Sequence, residues 1–232
     1  MSAISILSGG AAHGLVAQLA ERFKAQTGFG IAGEFGAVGV MADKLRAGTS
    51  ADLMILTRAL IARLADEGLV APASIADVGT VETALAVRAG DRKVAVKTED
   101  DLREVLRTAD AIYVPDTKAS TAGMHVARVL DRLGIAYEVA PRLKVFPNGA
   151  TAMRQLATSE AKAPIGCTQA TEIIATPGIV LSGALPPGSE LATMYTAGVT
   201  TRAANAPEAL ALTGLLTDAA QRELRQRIGF AG

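Results

Sequence analysis

Short apolar runs alternate with segments of helical spacing along almost the whole chain. The first apolar run, at residues 4–7, ends at Gly9-Gly10, and apolar residues then recur every three or four positions over 15–23. This order is typical of a strand, a glycine loop and an amphipathic helix. Because the order repeats, we predict an α/β fold, with mostly parallel sheets flanked by helices.

The same pattern gives bounds for the other elements. Strands are predicted at 30–35, 52–56, 83–87, 111–114, 143–146, 164–167 and 191–200. Helices are predicted at 41–47, 58–67, 100–107, 121–133, 151–158, 207–216 and 218–228, with a loop at 36–39. Ligands of open α/β sheets bind outside the carboxyl ends of the strands, so the loops that follow strands are the candidate site.

Charge and composition exclude several kinds of partner. Lys and Arg total 23 and Asp and Glu total 23, so no net basic field exists to attract nucleic acid. One cysteine and two histidines cannot supply a structural zinc site, and no dinucleotide or phosphate-loop motif is present. We therefore predict no metal, no cofactor and no nucleic-acid partner.

The expected location follows from the apolar runs. None approaches the roughly 20 residues that span a bilayer, so membrane insertion is not expected. The opening residues 1–7 lack the basic flank of a secretion signal. The sequence as given predicts a cytoplasmic protein, or a periplasmic one if a signal peptide has been removed.

Three loops place small residues directly before a predicted helix. Free N–H groups and the positive end of the helix dipole make such positions suited to anions, although capping of the helix is the alternative. Predicted ligand-binding residues in these loops are Gly10, Ala11, Ala12, His13, Ala37, Val38, Gly39, Ser120, Thr121, Ala122 and Gly123.

Other side chains follow or lie on predicted strands and add polar or cationic groups. Arg58 can hold a carboxylate through two parallel hydrogen bonds, or can be an exposed first-turn arginine. His13 can move a proton near neutral pH, or can be a surface histidine. The remaining predicted ligand contacts are Thr57, Asn148, Thr168, Gln169 and Tyr195, whereas Cys167 is expected to be a buried thiol.

Three stretches of the chain resemble type 2 periplasmic solute-binding proteins, closest to the molybdate-binding family of ABC transporters. These are residues 4–23, the strand Ala51-Asp52-Leu53-Met54-Ile55, and the tail with Asn205-Ala206-Pro207-Glu208-Ala209, 215–221 and Gly229-Phe230. The resemblance implies a two-lobed fold with a ligand cleft between the lobes. It implies one lobe from 1–80 plus 196–232, a second from 81–195, and a hinge near 79–84 and 192–198.

This chain differs from the molybdate-binding family in its first two ligand loops, and the difference bears on the ligand it binds. Molybdate binders are expected to offer serine hydroxyls in their first two ligand loops, where this chain has Gly10-Ala11-Ala12 and Ala37-Val38-Gly39. Because each lost charge-assisted hydrogen bond costs roughly 1.5–3 kcal/mol, we expect an organic carboxylate, including a polycarboxylate, to replace molybdate. The expected partners are this small anion and, if the chain is exported, an ABC permease.

Two other functions fit the same residues. One is a cofactor-independent cytoplasmic isomerase of an unsaturated tricarboxylate, similar to aconitate isomerase, in which His13 is the catalytic residue and Arg58 holds a carboxylate. The other is a ligand-sensing module for a cytoplasmic partner, for which the sequence shows no attached effector domain.

Overall fold

The computed structural model describes residues 2–231, which form two compact units. One unit comprises residues 2–80 and 193–231, and the other comprises 81–192. Each unit is a sheet with helices packed on it, so the predicted α/β fold is confirmed.

The first unit begins with three strand–helix pairs. They are β1 (Ala3–Gly9), α1 (His13–Thr27), β2 (Gly30–Gly36), α2 (Val38–Arg46), β3 (Leu53–Thr57) and α3 (Arg58–Asp66). Strand β1 pairs in parallel with both β2 and β3, and Gly9 lies opposite Gly36. The carboxyl ends of all three strands, and hence the starts of all three helices, therefore share one edge of the sheet.

Strand β4 (Ala76–Arg88) follows and is much longer than the predicted strand at 83–87. Its first half carries the exposed Asp77 and the partly exposed Thr80 beside the buried Val78 and Val81, which hides the strand from an apolar-run search. The predicted loop at 36–39 is also wrong in its second half, because α2 already begins at Val38.

The second unit continues from the latter half of β4. Its elements are α4 (Glu99–Thr108), β5 (Ala111–Pro115), α5 (Thr121–Arg132), α6 (Ala136–Val139), β6 (Leu143–Phe146), α7 (Gly149–Ala157), β7 (Pro164–Gln169), α8 (Ala170–Ile174) and β8 (Ile179–Ala184). Strand β5 is parallel to β6 and β7, whereas β4 is antiparallel to β7 and β8. The sequence pattern did not predict α6, α8 or β8.

The two faces of the second sheet pack against different helices. On one face, Leu85 and Cys167 form a core with Leu102 of α4 and Val126 of α5. On the other face, Gly166 lies against Met153 and Leu156 of α7. Burial raises the pKa of the Cys167 thiol to about 12, in keeping with its expected role as a buried apolar side chain.

The chain then returns to the first unit through β9 (Ala192–Val199), α9 (Ala206–Thr217), α10 (Arg222–Arg227) and β10 (Phe230–Ala231). Strand β9 is antiparallel to β3 and places Tyr195 opposite Thr57. The helix predicted at 218–228 is divided, because a 3₁₀ turn at Ala219–Gln221 precedes α10. Within residues 2–231, no helix is long and apolar enough to cross a membrane.

Candidate functional site

At the edge where β1, β2 and β3 end, two helix starts have no side-chain cap. The cap residues are Ala12 for α1, which follows a 3₁₀ turn at Gly10–Ala12, and Ala37 for α2. Neither alanine has a side-chain oxygen that could accept from the first-turn N–H groups. The capping alternative therefore fails for these two loops. Helix α3 differs, because Thr57 Oγ1 accepts from the backbone N–H of Leu60 at 3.4 Å.

Gly9 allows three elements of the first unit to meet at this edge. A Cβ atom on Gly9 would lie 2.8 Å from Val38 Cγ1 and 3.0 Å from Tyr195 Cε1. Val38 and Tyr195 are both buried, as are Ala11, Ala12 and Ala37. The residues predicted to contact a ligand at this edge are thus close together. Most of them offer backbone groups or packing surface instead of side-chain hydrogen bonds.

His13 is exposed on the first residue of α1. Its ring meets the ring of Phe35 edge-on, with the centroids 4.6 Å apart. The histidine therefore stands at the same strand edge as the two uncapped helix starts, where a ligand and solvent can both reach it.

Arg58 already has a carboxylate partner within its own unit. Its guanidinium forms two hydrogen bonds to Asp77, and Thr196 Oγ1 donates a third to Asp77 Oδ1 at 2.7 Å. The hydrogen bond from Arg58 is the main cause that lowers the pKa of Asp77. A ligand carboxylate must therefore compete with Asp77 or use the guanidinium N–H groups that this pair leaves over.

The start of α7 in the second unit is occupied by a carboxyl group of the chain itself. Buried Glu172 accepts hydrogen bonds from the backbone of Gly149 and Ala150 and, at 2.6 Å, from Thr168 Oγ1. Asn148 Oδ1 caps the same helix by accepting from Thr151 N at 2.8 Å. Burial raises the pKa of Glu172. Asn148 and Thr168, both predicted to contact ligand, are thus engaged internally.

The start of α5 is open by comparison. Ser120 is its cap residue but makes no side-chain capping bond. Gly123 has a packing role, since a Cβ atom there would lie 2.1 Å and 2.5 Å from the carbonyl oxygens of Asp116 and Pro115. Ala122 is buried beside it. The third predicted loop therefore also lacks a side-chain cap.

Two buried polar side chains lie at the same end of the second sheet. Gln169 is 3% exposed and Thr83 is 1% exposed, and none of the atoms Gln169 Oε1, Gln169 Nε2 and Thr83 Oγ1 has a hydrogen-bond partner among the described residues. Thr83 and Gln169 are opposite each other in β4 and β7, so their side chains lie on one face. Unpartnered groups of this kind are rare in native proteins and call for a partner outside the chain, such as an ordered water or a ligand.

This face is the one on which α5 packs. Side chains two residues apart in a strand share a face, so Thr83 and Gln169 continue the surface formed by Leu85 and Cys167. Because β5 and β7 are parallel, the start of α5 lies at the edge where β7 ends. The uncapped α5 start, Thr83 and Gln169 therefore share one edge and one face, and we define them as the polar strand end.

Residues that sequence reasoning missed include Glu172, Thr83 and Thr193. Thr193 in the first unit is buried, its Oγ1 has no partner among residues 2–231, and it lies two positions before Tyr195 on β9. None of the three is marked by a motif. Thr83 and Thr193 lie at or near the start of a predicted strand, and Glu172 follows Gln169 by three residues.

A separate depression of about 270 Å³ lies near the amino end of β7, lined in part by Val87, Arg92, Lys162 and Ile165. Arg92 and Lys162 are exposed, and the depression contains none of the unpartnered buried groups. No cluster of three or more potential metal ligands occurs within residues 2–231. The polar strand end is therefore the better-supported candidate in the second unit.

A family model described as bacterial extracellular solute-binding protein matches residues 4–231. The chain belongs to this family. The fold of this chain also resembles the folds of solved solute-binding proteins. The periplasmic molybdate-binding protein of Azotobacter vinelandii superposes with a TM-score of 0.83 at 17% identity, with 99% of each chain covered.

Two further relatives extend this result. The sulfate-binding protein SubI of Mycobacterium tuberculosis superposes with a TM-score of 0.76 at 19% identity, covering 99% of this chain and 86% of SubI. At these identities both structural likenesses establish the fold. An aconitate isomerase from a Pseudomonas species is 25% identical over 223 residues, which is 91% of this chain and 81% of that protein.

Proposed function

We propose that this solute-binding protein binds a small organic carboxylate at the carboxyl edges of its strands. The observation that carries the proposal is the buried pair Thr83 and Gln169, whose polar atoms have no partner in the described chain. Leaving a buried polar group unpaired costs roughly 1–3 kcal/mol, so a polar ligand is expected to complete these hydrogen bonds. The start of α5, which lies at the same edge and face and has no side-chain cap, adds N–H groups for a negative charge.

Two further facts support an organic anion over an inorganic one. The uncapped starts of α1 and α2 carry glycine, alanine and valine, so they offer no side-chain hydroxyl donors to a tetrahedral oxyanion. The name of the Pseudomonas relative, aconitate isomerase, denotes a tricarboxylate substrate. The names of the structural relatives denote molybdate and sulfate, which supports the broader statement that the ligand is an anion.

The family description also bears on partners and place of action. Because members are described as extracellular solute-binding proteins, we propose that this chain acts outside the cytoplasm and delivers its ligand to an ABC permease. Detection of the mature protein in a periplasmic extract, and of a permease gene beside its own, would support this role.

The ligand class is tested by thermal unfolding in the presence of single anions. Citrate, tricarballylate, malate and succinate form the organic panel, and molybdate, sulfate and phosphate form the inorganic panel. A ligand at 100 times its Kd stabilises the native state by about 2.7 kcal/mol. We expect at least one carboxylate to raise the melting temperature and the inorganic anions to have little effect. A shift with molybdate or sulfate alone would contradict the organic ligand.

A second candidate function is isomerisation of an unsaturated tricarboxylate, which the 25% identical aconitate isomerase favours. His13 is the proposed proton-transfer group, because it is exposed at the start of α1 beside the open helix ends. Positioned acid–base groups contribute typically 10²- to 10⁴-fold to rate.

Proton NMR of cis-aconitate incubated with the protein tests this function directly. If the chain is an isomerase, the signals of trans-aconitate will grow, and His13→Ala will slow their growth by about 100-fold or more while the Kd stays within a few-fold. His13→Gln, which keeps a polar side chain of similar size, is the matched control for loss of the proton carrier. An unchanged spectrum with wild-type protein would exclude the isomerase.

A further inference from the structure

The unpartnered groups at the polar strand end are of two opposite kinds. Gln169 Nε2 carries N–H donors, whereas Gln169 Oε1 is only an acceptor, and the Thr83 hydroxyl can act as either. The two side chains lie opposite each other but form no hydrogen bond with one another. A ligand that satisfies this pair must therefore both accept and donate.

A carboxylate alone cannot do this. Ionised carboxylates, sulfate and molybdate offer acceptor oxygens only, so they can pair with Gln169 Nε2 and Thr83 but leave Gln169 Oε1 unpartnered. A hydroxyl group on the ligand can donate to Gln169 Oε1 and accept from Thr83 at the same time. An ammonium group can donate but cannot accept, so it would leave Gln169 Nε2 or Thr83 dependent on another ligand atom.

The charge of the site also favours a hydroxyl over an ammonium group. No acidic side chain forms a hydrogen bond with the polar atoms of Gln169 or Thr83 in the described chain. Glu172, the nearest acid in sequence to Gln169, holds Thr168 and the start of α7 on the opposite face of the sheet. A buried cation would thus find no counter-charge there.

We propose that the ligand is a hydroxycarboxylate, whose hydroxyl group is bound by Gln169 and Thr83 and whose carboxylate is bound by the N–H groups at the start of α5. This inference rests on the proposed function and narrows it to one substrate class. Gln169 and Thr83 then determine specificity: they distinguish a hydroxy acid from the same acid without its hydroxyl group.

Matched pairs of ligands test the proposal by isothermal titration calorimetry. Citrate and tricarballylate both have three carboxylates and differ by one hydroxyl, as malate and succinate do with two carboxylates. A hydrogen-bonding pair left unsatisfied in a buried site weakens binding by about ten- to a hundred-fold. We expect the hydroxy acid of at least one pair to bind more tightly by that factor.

Two isosteric variants assign the preference to these side chains. Gln169→Leu and Thr83→Val remove polar atoms that have no partner in the free protein, so both variants are expected to fold and to keep or raise the melting temperature. Each should reduce the preference for the hydroxy acid to about three-fold or less. Gln155→Leu, the same substitution at an exposed position of α7, should leave the preference unchanged.

The outcomes separate the two proposals. If citrate and tricarballylate bind equally, and malate and succinate do too, the hydroxycarboxylate is excluded while the carboxylate site stands. If none of the four binds, the proposed function itself fails. If a clear preference persists in both Gln169→Leu and Thr83→Val, the hydroxyl is recognised elsewhere and the assignment to the polar strand end is wrong.

Discussion

Replacing Asp52 with alanine is expected to lower the free energy of unfolding by about 3 kcal/mol or more. Asp52 is 3% exposed, and its carboxylate accepts from Ser5 N at 2.8 Å and from Asn205 N at 2.9 Å. The Ser5 hydroxyl and the Asn205 side-chain amide donate to Asp52 as well. Alanine would leave these part-buried donors without their acceptor, and an unpaired buried group costs roughly 1–3 kcal/mol.

Urea unfolding followed by circular dichroism measures this effect. Asp43→Ala is the matched control, because Asp43 is exposed on α2 and its ion-pair partner within residues 2–231 is Arg46 on the same helix. Exposed pairs of this kind contribute about 0.5 kcal/mol or less. A similar loss in Asp43→Ala and Asp52→Ala would show that the contacts of Asp52 with Ser5 and Asn205 add little to stability.

The same carboxylate makes stability depend on pH. Burial acts to raise the pKa of Asp52, but the hydrogen bonds from Ser5 and Asn205 outweigh it, so the pKa lies below the ordinary value of 3.8. A lowered pKa in the folded state gives stability that is complete above the unfolded pKa and is lost as the pH falls through the folded one. The difference between wild type and Asp52→Ala is therefore expected to be largest near pH 7 and to shrink below about pH 4.

The alternation of apolar runs predicted most of the fold because a buried strand between two helical segments is a local feature of the sequence. β3 and β7 could be recognised in this way, since nearly all their residues are buried. The first half of β4 and strand β8 could not, because both carry partly exposed residues that break the apolar run. Their strand conformation depends on neighbouring strands that are distant in sequence.

The candidate site was predictable to the same extent. Gln169 could be named because it ends a buried strand, and a strand end is visible in the sequence. The partner of Arg58 could not be named, because Asp77 lies 19 residues away on β4. The carboxyl group at the start of α7 could not be named either, because Glu172 contacts Gly149 only when β7 and α7 pack together. Spacing shows which groups a loop offers, and tertiary packing decides which of them are already used.

Gly149→Ala is expected to destabilise the second unit by about 3 kcal/mol. A Cβ atom at this position would lie 1.9 Å from Glu172 Oε2 and 2.1 Å from Thr168 Oγ1, so the buried carboxyl group must move. Overpacking of this kind costs typically 1–3 kcal/mol, and the displaced Glu172 would also lose hydrogen bonds to the start of α7.

A double-mutant cycle assigns the loss to this contact. Glu172→Ala removes the obstructing carboxyl group, so Gly149→Ala should cost at least 1 kcal/mol less in that background than in wild type, by urea unfolding. Gly214→Ala is the matched control, because a Cβ atom there meets nothing within 4 Å and the residue lies inside α9. That substitution should stabilise the protein by up to about 1 kcal/mol. Additive losses in the cycle would mean that the close approach to Thr168 Oγ1, and not the contact with Glu172, causes the loss.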